Sequence, residues 1–499
     1  MSRAVLLGQY GRVNSDRYHD LADGLALAVT EPDSAATAKL MTFLGGLTGP
    51  GWLRVDESAR RYYAGPRLHS ALAGWQPCPG AAVPPPWAVA ASMAQNGRVR
   101  ETAVSALAGI AGPVASAALA VRVADWVPEV SAAASAALAS RTGPKDAAAA
   151  IPVLLALGER QRGREAAARY LACIATGPEE TLRVLAGPGD RGRRTWALGA
   201  LLDRGRLTAE ELTARAVGDP DPVTALWCAR RLAGPGGELE PGAVGRLLGS
   251  ARPGVRAFAA GKAGADVLTH SVLHGLLLDR SGAVRSVARW RWKQQYGNPR
   301  PVYQAVLAGT SLPRAVAAAL QGLDDDHDDA LPAAAVPFLS DPSPAVRRAA
   351  VLAVARHTPD DDTVSFLVPL LLDPSAKVAA TALRYVRGKH LPPSVLANLD
   401  AAGTGRARRA ALAIRQHLGT WDRVLADLSA LAGPDPDLAD TARADLLAWL
   451  QHDAVTTYTM PAPVQAERIA GLLNASGISQ AQRRRIAFTA GIPTSASRD

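Results

Sequence analysis

Aromatic side chains make up only 5% of the 499 residues, and no segment supplies the uninterrupted apolar run of roughly 18 residues that a membrane span needs. The first shortage excludes a core built on large rings. With alanine throughout and 48% hydrophobic residues, it points to small side chains packed closely, which helices do better than sheets. The second shortage, with an opening "MSRAVLLGQY" too short in apolar residues for a secretory signal, predicts a cytoplasmic protein without membrane contact. Cysteine is scarce as well. Cys78, Cys173 and Cys228 are far apart and fit no metal-ligand spacing, and the last two lie in the helical patterns "YLACIA" and "ALWCARRL", so buried free thiols are expected.

Lysine is nearly missing: there are six, so 49 of the 55 basic residues are arginine. The net charge is +10, and residues 151–300 hold nine of that excess, with 23 basic residues against 14 acidic. A segment of this kind suits a phosphate-bearing or acidic partner.

What recurs is a phrase: a turn with Asp, Pro or Gly, then Val-Arg, then Ala, then Leu or Ala. It is clearest in "SDPSPAVRRAAVLAVAR" (Ser340 to Arg356), with relatives such as "NGRVRETAVSALAG" at Asn96, "RPGVRAFAAGKAGA" at Arg252, "DRSGAVRSVARWRW" at Asp279 and "LDPSAKVAATALRYV" at Leu372. The Val position falls at 99, 130, 163, 193, 224, 255, 284, weakly near 312, then 346, 378, 407 and 438, a mean step of about 31 residues. That length holds two helices of about 10–12 residues and two turns, one helical hairpin. Val, the residue four later and the residue eight later share one helix face, with Ala where a neighbouring backbone comes closest. One hairpin cannot bury that face alone, so the hairpins must stack. The reading is an all-α, right-handed α-solenoid of eleven or twelve hairpins.

The phrase resembles HEAT repeats, an armadillo-type superhelix, in the short form of about 30 residues found in bacterial phycobilisome-lyase-type HEAT-like proteins. The resemblance covers about residues 90–450. It implies a ladder in which a turn Asp and an Arg of the second helix bond across adjacent repeats. The six-residue spacing offers Asp279 with Arg285 and Asp341 with Arg347, while Asp125 meets Ser131 and Asp373 meets Ala379, which predicts an interrupted ladder. The expected organisation is an N-terminal helical cap over 1–75, a Pro-rich linker over 76–90 ("QPCPGAAVPPPW"), the array over 91–452, capping helices over 453–492 with a capping box at Ser479 and Gln482, and a frayed tail over 493–499.

Candidate chemistry is thin. Asp266, His270 and His274 are spaced by four, but Ser271 stands where a zinc hydrolase needs Glu, so no metal site is expected. "DDDHDD" (Asp324 to Asp329) and "DDD" (Asp360 to Asp362) lack the alternation of a calcium loop and read as solvated turns. There is no His-Glu pair, nucleophile elbow or phosphate loop, so no cofactor and no catalytic residue is assigned. The exception in density is "RSVARWRWKQQYG", Arg285 to Gly297. With Val284 as marker, Trp292 takes the core position, whereas Arg285, Arg289 and Lys293 form a stripe with Trp290 beside it; with Arg256 of the preceding copy they are the candidate partner contacts. The expected function is a monomeric, non-enzymatic scaffold that binds a protein along its concave face. The alternatives are nucleic-acid binding through 151–300, in the manner implied by the HEAT-like DNA glycosylases, and a bilin-lyase-like role.

Overall fold

The computed structural model describes residues 34–60 and 83–493, apart from 159–161, 235, 310–311 and 327–329, together with positions 24, 25, 72 and 75. Much of the expected cap, residues 76–82 of the linker with Cys78, and the tail beyond Pro493 lie outside them. Among the described residues every regular element is a helix and none is a strand.

The twelve markers all fall at helix starts. Those at 99, 130, 255, 284, 346, 378 and 438, for example, open the helices Gly97–Gly109, Pro128–Ala139, Pro253–Lys262, Gly282–Tyr296, Pro344–His357, Ala376–Val386 and Pro436–Ala448. A helix separates each marker helix from the next, and Pro85–Ser92 precedes the first, so twelve hairpins stand among the described residues. The predicted face is the buried one: Val130, Ala134 and Leu138, or Val346, Ala350 and Val354, are sealed from solvent. Marker helices pack on marker helices, as Gly97–Gly109 does on Pro128–Ala139 and Pro344–His357 on Ala376–Val386. This is the layer-on-layer burial that defines an α-solenoid.

The Pro-rich run is not all linker. Pro85 and Pro86 occupy the first turn of a helix, where a missing N–H removes no hydrogen bond, so the prolines start the array's first helix instead of delaying it.

The chain divides into two compact units, Met1–Phe258 and Ala259–Asp499. In the first, Gly49–Arg60 packs against Pro113–Arg122 and Pro144–Leu157. The latter carries Pro152 in its interior, and Gly49 sits so close to the Pro152 carbonyl that an added Cβ would overlap backbone atoms. Gly49→Ala is therefore expected to lower stability by about 1–3 kcal/mol through overpacking, measured by thermal unfolding; an unchanged melting temperature would refute the close approach.

In the second unit, Trp449–Asp453 turns the chain out of the last marker helix. Trp421, Trp449, Ile469 and Ile486 form one core with the closing helices Pro463–Ala475 and Gln480–Thr489. The latter opens with the Ser479–Gln482 capping box.

Candidate functional site

The arginines explain themselves once the turns are in place. Arg100 lies beside the first marker and donates to the Ala94 carbonyl six residues back (3.0 Å) and to both carboxylate oxygens of Asp125 in the next turn (2.9 and 2.8 Å). Arg347 repeats this with the Asp341 carbonyl (2.8 Å) and the Asp373 carboxylate (2.7 and 2.8 Å), and Arg194 meets one carboxylate oxygen of Asp219 in the next turn. The turn Asp also accepts from the backbone N–H two residues on: Asp125 from Val127, Asp373 from Ser375. The ladder thus differs from the six-residue pairing. Within a repeat the Arg meets the carbonyl six residues back in its own turn, Ala94 for Arg100 and Asp341 for Arg347; the carboxylate it meets belongs to the following repeat. Asp125 and Asp373 are consequently partnered although Ser131 and Ala379 are not arginine. A spacing of 25 or 26 residues between Arg and Asp is the signal that sequence reading missed.

Other arginines use mainly backbone carbonyls. Arg141 donates to Leu107 and Ile110 (both 2.7 Å), Arg204 to Gly177 (2.8 Å), and Arg291 to Gly261 and Ala263 (both 2.8 Å). Each covers the unsatisfied C-terminal carbonyls of the preceding marker helix, which a forked guanidinium does and a single ammonium does poorly. This accounts for much of the preference for arginine over lysine.

The basic helix Gly282–Tyr296 follows the same rule. Arg285 donates to the Asp279 carbonyl (3.0 Å), to Gln321 (3.0 Å) and to Asp325 (2.9 Å). Arg289 joins it on Asp325 (2.9 Å), while Lys293 and Arg300 share Asp326 (3.0 and 3.4 Å). Asp324 takes Arg356 and His357 from the next marker helix, the latter at 2.7 Å. Three consecutive carboxylates therefore clamp marker helices on both sides. The expectation that Asp324 to Asp329 form a solvated turn is corrected at Asp324, which is buried at the end of helix Pro313–Asp325; His327, Asp328 and Asp329 lie outside the described residues. Asp360, Asp361 and Asp362, by contrast, are exposed in the first turn of a helix, where negative charge is favourable.

Of the candidate contacts, Arg256 and Arg285 are buried, and Arg289 is largely so, which corrects their place in a surface patch. Lys293 stays on the surface with its ion pair. Trp290 is 53% exposed, with the Arg291 guanidinium 5.2 Å from its ring centre, and Trp292 is buried against His270 (4.8 Å) and Tyr296 (5.0 Å). His270 is thus part of an aromatic cluster, and Asp266 lies in the turn before that helix. Among the described residues no group of three His, Cys, Asp or Glu is placed to hold a metal ion. Cys228 is buried, whereas Cys173 is exposed, because its helix turns that position away from the Ala167, Tyr170 and Ile174 face. No helix is long and apolar enough to cross a membrane among the described residues.

One buried acid stands apart. Asp427 is sealed from solvent, accepts from Gln416 (2.7 Å) and faces Asp445, whose charge is held by Arg423 (2.6 and 3.0 Å), itself also on Asp453 (2.9 Å). Burial pushes its carboxyl up to about 8, with the neighbouring Asp445 adding to the rise. A folded pKa raised in this way contributes stability that is whole below the unfolded value near 4 and is lost as pH rises towards 8, at up to about 1.4 kcal/mol per pH unit. Asp427→Asn removes the ionisable group, so the variant should gain in melting temperature over the parent as pH goes from 4 to 8. Parallel pH profiles would refute this.

No protein-family profile matches the chain, and no curated protein matches it. Among solved structures it is similar to an engineered protein at 18% identity (85% of this chain, 98% of the other; TM-score 0.19). It is also similar to Kap121p bound to Nup53p at 14% (94% and 55%; 0.24) and to importin beta at 13% (98% and 79%; 0.25). The chain thus spans about half the length of Kap121p. The fold assignment rests on the hairpin stacking itself and not on these likenesses.

Proposed function

We propose that this chain is a non-enzymatic, HEAT-like scaffold that holds a protein partner along the exposed side of its marker helices, the concave face of such arrays. The observation that carries this reading is the internal pairing of the basic helix. Arg285, Arg289, Lys293 and Arg300 already meet Asp325 and Asp326, so these cations are engaged in ion pairs within the fold and less available to a nucleic acid. The large hydrophobic side chains that helix leaves exposed are aromatic, Trp290 and Tyr296, beside Lys293, Gln294 and Gln295. Large, rigid, half-exposed rings with a polar edge are the side chains on which protein interfaces concentrate their energy.

A photo-crosslinking residue at position 290 of the full chain tests it in a lysate of the native host. A discrete protein adduct that survives nuclease, and that is absent when the same group replaces the buried Trp292, is the expected result. Duplex DNA binding whose affinity falls steeply with salt, with no protein adduct, would replace the scaffold by a nucleic-acid binder.

A further inference from the structure

The closing segment of the second unit presents a surface unlike the rest. Tyr458 is 90% and Phe488 87% exposed, and Val455 and Met460 are exposed beside them. The four belong together: helix Gln480–Thr489, which carries Phe488, packs against the turns at 449–456, and the Met460 thioether lies over Gly491 just beyond that helix. Nor are they loose. Trp421 Nε1 donates to the Thr459 carbonyl (2.7 Å), the Thr457 hydroxyl donates to the Asp453 carbonyl (3.0 Å), and the Gln465 side chain accepts from the Ala462 N–H (3.0 Å) while donating to Asp422 (2.7 Å). The strap is pinned along its length with its apolar side chains pointing out. The terminal layer of a helical-repeat array needs a polar outer face to stay soluble, and contiguous exposed apolar area marks an interaction site.

The charges around the patch select the occupant. Arg484 and Arg485 are exposed one turn before Phe488 on a helix without any acidic residue, and neither has a carboxylate partner among the described residues. The nearby Asp453 is held by Arg423. These cations are therefore available, in contrast to those of Gly282–Tyr296. A second copy docking across a two-fold axis would bring Arg484 and Arg485 towards their own equivalents. Val455 and Met460 give a nucleic acid neither a stacking plane nor a phosphate contact.

We infer that the face of Val455, Tyr458, Met460 and Phe488, flanked by Arg484 and Arg485, docks a protein segment that combines large apolar side chains with carboxylates, such as an acidic amphipathic helix. This surface is separate from the side of the marker helices, and the inference stands whether or not the array holds a partner there.

The test uses the full chain and three labelled peptides of about 16 residues, a length that presents the anchors of one amphipathic helix. One carries Leu and Phe on one face and Glu on the other; the second has Lys for every Glu; the third has Ser for every Leu and Phe. Fluorescence anisotropy should show the first binding at least about tenfold more tightly than either control, with a loss of about tenfold or more in Tyr458→Ser/Phe488→Ser. Arg484→Glu/Arg485→Glu should reverse the preference towards the Lys peptide. Circular dichroism and melting of both variants should match the parent. Equal binding of all three peptides, no binding of the first, or an unchanged affinity in the Tyr458→Ser/Phe488→Ser variant overturns the inference. So does a concentration-dependent dimer in sedimentation velocity that Phe488→Ser abolishes, which would give the patch to a second copy. Binding of a single-stranded oligonucleotide lost in the same variant would give it to nucleic acid.

Discussion

Asp125→Ala is expected to cost the first unit about 3–5 kcal/mol, enough to erase much of the stability of a typical domain. The Asp125 carboxylate is fully buried and accepts from Arg100 (2.8 Å) and Arg122 (2.9 Å), both themselves buried, with Arg60 at 3.5 Å on its rim. Its Oδ1 also holds the Val127 N–H (3.0 Å), which shapes the turn into helix Pro128–Ala139. Truncation leaves two guanidinium groups in a dry interior. Only Arg122 keeps a second carboxylate, Asp56. The cost arises mainly from those stranded charges, so Arg100→Met/Asp125→Leu should recover most of the loss even though it deletes the ion pair. Chemical denaturation followed by circular dichroism reads both variants. A loss within about 1 kcal/mol for Asp125→Ala, the range of an exposed ion pair, would show that the ladder is ornamental to the stack.

The second large effect lies in the basic helix. Trp292→Ala should cost about 3–5 kcal/mol because the indole is buried and its removal leaves a large cavity. Trp292 fills the place eight residues after the marker, where Leu138 and Val354 sit in other repeats, and its ring is packed by His270 and Tyr296. Two residues earlier, Trp290→Ala should change stability by no more than about 1 kcal/mol, since it loses little beyond the Arg291 contact at 5.2 Å. Thermal melts of the two single variants separate core from surface within one helix. Comparable losses would mean that Trp290 is scaffold, and the partner reading would lose its best residue.

The contrast between those two tryptophans was legible in advance because helical phase is a local property. Given Val284 and a period of 3.6, the side of the helix on which Trp292 falls follows without knowledge of the neighbours. The same holds for the hairpin step and for the capping box at Ser479. Arg285 and Arg289 were misplaced for the opposite reason. A guanidinium beside the marker points along the stack, and whether it ends in water or on a carboxylate depends on a residue 36 to 40 positions away, on another helix. Sequence proximity offered Asp279 for Arg285, and the fold supplied Asp325. Asp324, Asp325 and Asp326 illustrate the complementary error: alone they read as part of a hydrated turn, and only the approach of two basic marker helices makes them a clamp.

The sequence by itself determined the fold class, the helix phase and the buried Val, Ala and Leu face, because these follow from periodicity and from the need of each hairpin to bury one side. It also held the composition of the charge, though not its destination. Tertiary structure alone decided which cations are ion-paired within the stack and which, as at Arg484 and Arg485, stay available. It alone decided that, among the described residues, Tyr458 of the closing strap and Phe488 of the last helix are more exposed than the aromatic rings of the basic helix. The physical reason is range: helix periodicity is set by neighbours within a turn or two, while pairing and exposure are set by whichever layer the chain lays down next.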